Sequence, residues 1–268
     1  MTEIADILHR IVRQRRVRID EVLESHNGWD EGEGDSAPGS PVSTLVESIR
    51  SAEGSAIIAE VKLGSPRLGS LVGTIDPVLQ ARLYAENGAA AISVVVEPDF
   101  FYGSYELLSR CQQASGLPAL AKDFVVHPIQ LEWARRSGAS AVLLIAALHP
   151  PSEILALARR ARELNLVPLL ECHERADMAS LGVGEWELVG VNNRDLRTFD
   201  VDLERSMAMV PELPVGSTKV AESGIRSASD VAKLRAAGFD AFLVGESLLL
   251  AENPAARLRE LVDSGVGK

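Results

Sequence analysis

At 268 residues with 46% hydrophobic content, the chain is long enough to fold as one barrel-sized domain or two small ones. Its 38 acidic residues outnumber 27 basic ones for a formal net charge of -11, which excludes a surface built to hold nucleic acid or anionic lipid and leaves only a local site for an anion. Cys111 and Cys172 are too few for a disulfide framework or a zinc cluster, the N-terminus lacks a signal-peptide core, and no run of about 18 apolar residues spans a membrane, so a soluble cytoplasmic protein is expected.

In the first 25 residues, Ile4, Ile7, Leu8, Ile11, Val22 and Leu23 recur at helical spacing beside a basic face, which predicts a leading helix. Residues 26–41, HNGWDEGEGDSAPGSP, concentrate Gly, Pro and acid and read as a flexible surface loop, and VSTLVESIR after them reads as a second, short helix. From residue 55 the pattern becomes regular. Apolar or β-branched runs lie at 56–61, 90–96, 118–121, 141–145, 167–171, 187–191, 218–222 and 241–245, about 25 residues apart, the length of one strand, one helix and two loops. Segments of helical period lie between them, among them DPVLQARLYAENG, PSEILALARRAREL and ASDVAKLRAAG. Continuous apolar strands separated by helices make a parallel sheet covered on its outer face. Eight such units, with no G-x-G-x-x-G after the first strand, predict a single (β/α)8 TIM barrel over 55–268, preceded by an N-terminal helical extension over 1–54.

Sites in such barrels lie at the carboxyl ends of the strands. The first strand ends on Glu60 and Lys62, two apart and so on one face. The third ends on Lys122, the fifth on Glu171, the sixth on Asn192 with Arg194, the seventh on Glu222 with Ser223, and the eighth on Gly245. One charged strand end usually just reaches solvent, but this repetition rings a single concavity with opposite charges whose pKa values can be tuned for proton transfer. The glycines of AESGIRS and LVGESL, directly after strands seven and eight, place backbone N–H groups where a phosphate could bind; two tight left-handed turns are the plainer reading. His127, His149 and His173 have no metal-site spacing and read as surface or capping residues, and RQRR (13–16) and RRARE (159–163) read as solvated helix faces.

The motifs IIAEVKLGSP, FFYGSYELL, LAKDFVVHPIQ, AVLLIAA, LLECH, GVNNRDLRTF, VAESGI and AFLVGESL, in that order over about residues 56–250, resemble those of the indole-3-glycerol-phosphate synthases of tryptophan biosynthesis. GVNNRDLRTF together with KDF is the specific part; VAESGI or VGESL alone would fit other phosphate-binding barrels. The resemblance implies a phosphorylated small-molecule substrate, 1-(2-carboxyphenylamino)-1-deoxyribulose 5-phosphate, cyclised with loss of carbon dioxide and water, with no cofactor and no metal. It implies Lys122 as general acid, Lys62 as its partner facing the substrate carboxylate, and Glu171 as the base for dehydration. Glu60, Asn192 and Glu222 would orient lysines and substrate, and Arg194 and Ser223 would complete the polar rim. Phe101, Phe124 and Leu143 would wall the aromatic ring, and Lys62, Ser65, Gly224, Gly245 and the backbone of Glu246 would hold phosphate. A monomer is expected, open to weak association with neighbouring enzymes of the pathway.

The chain departs from the family at Leu63, Gly64 and Arg67, where a basic residue, Ala and Ser are common, and at Ala121, where Arg is frequent. Cys172 beside Glu171 should point away from the barrel axis if Glu171 points toward it. Two alternatives stay open: a different sugar-phosphate barrel such as an isomerase, and a degenerate barrel kept as an interaction subunit. Lys62, Lys122 and Glu171 together weigh against both.

Overall fold

The structure, a computed structural model, describes residues 3–25, 44–182, 184–195 and 200–264. The loop expected at 26–41 and the LRTF end of GVNNRDLRTF lie outside the described residues. Eight parallel strands close into a barrel: β1 (Ala56–Val61), β2 (Ala91–Val95), β3 (Ala119–Lys122), β4 (Ala141–Ile145), β5 (Val167–Cys172), β6 (Leu188–Asn192), β7 (Thr218–Glu222) and β8 (Ala241–Val244). Each pairs with its neighbours in sequence, and β8 returns to β1 with Ala56 opposite Ala241. The chain thus has the expected TIM barrel, and every strand end falls within one residue of the apolar run that predicted it.

Eight helices follow the leading helix α1 (Glu3–Glu24) and α2 (Leu45–Arg50): α3 (Pro77–Glu86), α4 (Tyr105–Ser115), α5 (Ile129–Arg136), α6 (Pro151–Glu163), α7 (Leu203–Met209), α8 (Ala228–Ala237), α9 (Glu246–Leu249) and α10 (Pro254–Asp263). Their starts are written in the sequence: Asp76, Ser104, Ser227 and Asn253 each accept a first-turn backbone N–H, which satisfies donors a helix cannot pair internally. The fifth crossover departs from the regular unit. After β5 the chain makes a 3-10 segment, Arg175–Ser180, at whose start Asp177 folds back to accept the N–H groups of His173 and Glu174.

Alternation sorts each strand's side chains into two cores. Ile57, Ala59, Val61, Leu170, Cys172 and Phe242 pack outward against the helices, and Ile58, Leu120, Leu169 and Val220 fill the barrel. Leu45, Val46 and Ile49 of α2 join the inner core and plug the amino-terminal end. At the other end, Ile7, Leu8 and Ile11 of α1 line the open pocket. The extension therefore covers both ends of the barrel.

Candidate active site

Two residues above Ile58, Leu120, Leu169 and Val220, the same strands present Glu60, Lys122, Glu171 and Glu222. Side chains four to a layer from alternate strands are the filling rule of this barrel, and here the uppermost layer is charged. Its ion pairs are closed. Lys122 Nζ lies 3.0 Å from Glu222 Oε2 and 3.6 Å from Glu60 Oε2, and Lys62 Nζ donates to Glu60 Oε1 at 2.7 Å. Glu60 bridges the two lysines. Burial alone would lift its carboxyl, but the two ammonium groups hold it below the usual carboxylate range. Burial would likewise lower Lys122, and Glu222, Glu60 and Glu171 more than reverse that, so its pKa rises and it stays an ammonium.

Glu171 and Glu222 face each other. With both ionised, the buried Glu222 Oε1 has no donor among the described residues; with Glu222 protonated, its O–H donates to Glu171. Burial raises Glu222, and repulsion from Glu171 adds to it against the pull of Lys122. Burial also acts to raise Glu171, but His173 and Lys122 outweigh it and keep Glu171 ionised. The pair therefore shares one proton, held on Glu222. Gly190, on the strand between them, leaves the room: a Cβ there would run into Glu222 Oε1.

The pocket above this layer encloses about 560 Å³ and is apolar on one side. Phe101 and Phe124 form a tilted pair with centroids 6.0 Å apart, and Leu143, Ile145, Ile7, Leu8 and Ile11 continue the wall. Phe101 is set by the buried Glu97, whose carboxylate accepts the N–H groups of Asp99, Phe100 and Phe101 at 2.8–3.0 Å. Helix α1 is set by Asp123, next to Lys122. Arg15 donates to Asp123 from Nε at 3.0 Å and Nη2 at 2.6 Å, Tyr105 and Gln130 donate to the same carboxylate at 2.8 Å, and Arg18 pairs with Asp99 through two contacts of 2.6 Å.

The opposite side of the pocket is polar and basic, lined by Ser65, Arg67, Arg194, Ser223, Gly224, Arg226, Gly245, Glu246 and Arg257. Ser223 and Gly224 adopt left-handed φ values of 64° and 79°, as a tight turn after β7 requires. Gly245 differs: its φ is -125°, and a Cβ there would meet Glu60 Oε1. The plainer reading of two left-handed turns therefore fails at Gly245, whose lack of a side chain makes room for Glu60.

Every site residue expected from the sequence lines this one pocket except Glu222, which lies fully buried beneath it. Asn192 Oδ1 accepts the N–H of Arg194 at 3.0 Å, and Ser65 Oγ accepts that of Leu68 at 3.1 Å. Three expectations need correction. His173 is not a surface residue: it is 7% exposed, with Nε2 3.1 Å from Glu171 Oε1, and its i, i+2 spacing from Glu171 was the available signal. His149 is not a surface residue either: its ring is buried at the start of α6, with Nε2 2.7 Å from the carbonyl of Val125 and Nδ1 3.2 Å from Glu153 Oε2 in the helix's first turn. Arg15 leaves the solvated face of α1 for its buried pair with Asp123. Sequence reasoning also gave no role to Asn193, whose side chain donates to the carbonyls of Glu222 and Ser223 at 2.9 and 3.0 Å and fixes the end of β7.

Residues 8–261 match the family described as indole-3-glycerol phosphate synthase. The indole-3-glycerol phosphate synthase of Koribacter versatilis is 42% identical over 213 residues, covering 80% of this chain and 82% of the relative. That of Salinibacter ruber is 38% identical over 267 residues, covering 99% and 96%. Among solved structures, 3-hexulose-6-phosphate synthase from Salmonella typhimurium superposes with a TM-score of 0.62 at 12% identity, covering 78% of this chain and 97% of that one. Thiamine phosphate pyrophosphorylase from Pyrococcus furiosus superposes with a TM-score of 0.60 at 17% identity, covering 84% and 100%. These two likenesses concern the fold alone.

Proposed function

The chain belongs to the indole-3-glycerol phosphate synthase family, and from that premise we propose that it closes the indole ring of 1-(2-carboxyphenylamino)-1-deoxyribulose 5-phosphate with release of carbon dioxide and water. One observation supports this above the others: a charged layer with two lysines bridged by one carboxylate sits between an aromatic wall and a basic rim. The aminobenzoate ring packs against Phe101, Phe124 and Leu143 while the phosphate sits near Ser65, Gly224, Gly245 and the backbone of Glu246, which lays the ribulose carbonyl over Lys122.

Lys62 pairs with the substrate carboxylate, as the aromatic carbon bearing it attacks the carbonyl carbon. Lys122 donates to the carbonyl oxygen as it becomes an alkoxide; a lysine with a raised pKa gives up its proton only to so basic an oxygen. Breaking the carbon–carboxylate bond returns its electron pair to the ring. The ring nitrogen's lone pair then expels the new hydroxyl, which leaves as water with a second proton from Lys62, freed once the carboxylate has gone, while Glu171, ionised beside His173, takes a proton from the neighbouring carbon; solvent restores the one proton consumed overall. Glu60 holds both lysines, Glu222 holds Lys122 and the shared proton, and Asn192, Arg194 and Ser223 meet substrate hydroxyl and amine groups. No step transfers electrons to an acceptor, so the chemistry asks for no cofactor. In this reading residues 55–268 carry the chemistry as a monomeric barrel and residues 1–54 complete the pocket.

Incubating the purified protein with that substrate and following indole fluorescence together with carbon dioxide release tests the reading. Matching release of both products is expected. Substrate recovered unchanged overturns it.

A further inference from the structure

The basic rim holds an anion of its own. Glu246 Oε2 stands against the guanidinium of Arg67 and lies 3.7 Å from Arg194 Nη2, and all three residues line the pocket beside Ser65, Ser223 and Gly245. Arg67 comes from the turn between the paired segments Gly64–Ser65 and Gly69–Ser70 after β1, and Glu246 opens α9 after β8. Two separate loops are therefore joined across the rim by one carboxylate. A phosphate drawn to the same rim meets a like charge at that point, which disfavours its approach as long as the carboxylate remains there. Glu246 is 30% exposed in its side chain and Arg67 50%, so the carboxylate can turn to water without disturbing the core.

We propose that Glu246 is a built-in competitor for the substrate's phosphate: an entering phosphoryl dianion displaces its carboxylate and takes Arg67, along with Arg194, as partners. This rests on the phosphate reading given above. It makes Arg67 a phosphate-recognising residue, although that position commonly holds Ser in the family. It also makes affinity at this rim a difference between two anions, the phosphoryl group gaining two guanidinium contacts and Glu246 losing them. Arg226 lies on the same rim, as does Arg257, which is paired with Glu260 at 2.7 Å, so the rim gathers basic side chains on a molecule of net charge -11.

Inorganic phosphate, titrated as a competitive inhibitor of the cyclisation and by calorimetry, is the probe. Glu246→Gln keeps the shape but removes the competing charge, and phosphate should bind it several-fold more tightly than the wild type. Arg67→Ala should weaken phosphate on the order of tenfold, the effect of one charge-assisted contact. In Arg67→Ala/Glu246→Gln the gain from Glu246→Gln should shrink, because the two residues share one contact. Circular dichroism of each variant supplies the check on folding. Equal inhibition constants in all four proteins, or weaker binding by Glu246→Gln, overturn the inference while leaving the phosphate reading intact. If phosphate does not compete even in the wild type, and substrate lacking its phosphate reacts equally well, the phosphate reading itself falls.

Discussion

A lysine facing three carboxyl groups is a poor acid at rest, and Lys122 is held in that state by Glu222, Glu60 and Glu171. Its value lies in a fixed donor and a fixed positive charge where negative charge develops. Lys122→Met, close in volume, should lower kcat by about 100-fold or more, the scale of general acid catalysis, and steady-state turnover measures it. His173 supports the other proton transfer at one remove. Its ring has a raised pKa: burial would lower it, and Glu171, Asp177 and Glu222 outweigh that. As a cation 3.1 Å from Glu171 it keeps that base ionised to low pH. His173→Asn should therefore move the acid limb of the kcat profile to higher pH, while a histidine that merely fills space would leave the limb in place. Lys62, Lys122 and Glu171 were legible because charged residues closing apolar runs stand out. His173 was not, because a polar residue just past a strand reads as solvent-facing until its neighbours in space are known.

At the scale of elements, α1 matters more than its exposed, basic sequence suggests. The helix carries part of the apolar wall through Ile7, Leu8 and Ile11, and it is held to the barrel by the buried Ile19, by the buried pair of Arg15 with Asp123 and by the more exposed pair of Arg18 with Asp99. Removing one partner of a buried ion pair costs about 3–5 kcal/mol, because the other charge is left uncompensated. Arg15→Ala should therefore release α1, lower the thermal midpoint and raise KM. In Arg15→Ala/Asp123→Asn the loss should be less than the sum of the singles, since the stranded carboxylate is then gone; thermal unfolding of the four proteins measures both. Strands were readable almost to the residue because β1 to β8 are buried on both faces and appear as unbroken apolar runs. The docking of α1 was not, since Arg15 and Asp123 lie 108 positions apart and nothing local marks them as a pair.

For the molecule as a whole, the charged layer ties stability to pH. Asp123 is buried, and Arg15, Gln130 and Tyr105 hold its pKa below the ordinary value; Glu60 is lowered by its lysines. Both stabilise the fold above the ordinary carboxylate pKa and lose that contribution as pH falls through their folded values. Glu222 and His173 have raised pKa values and so bind protons on folding. Their contribution is complete below the unfolded values of about 4.3 for Glu and about 6.5 for His, and it fades as pH climbs through the folded values. The thermal midpoint should therefore peak on the mildly acid side of neutrality. Scanned from about pH 4 to about pH 9, it should fall on the alkaline side in the wild type and fall less in Glu222→Gln, whose side chain has no proton to lose.

Because the four members of that layer come from β1, β3, β5 and β7, the two halves of the chain are unlike in charge where they meet. The first four strands bring Glu60, Lys62 and Lys122 to the axis, two ammonium groups on one carboxylate, and the last four bring Glu171, already balanced by His173, and the protonated Glu222. The first half folded alone would hold an excess positive charge inside a low-dielectric cup and leave Lys122 without Glu222. Closure of the ring thus completes the partners of Lys122 as well as burying the strands, and a pairing of two first halves, lysines against lysines, is disfavoured by the same residues that the chemistry uses.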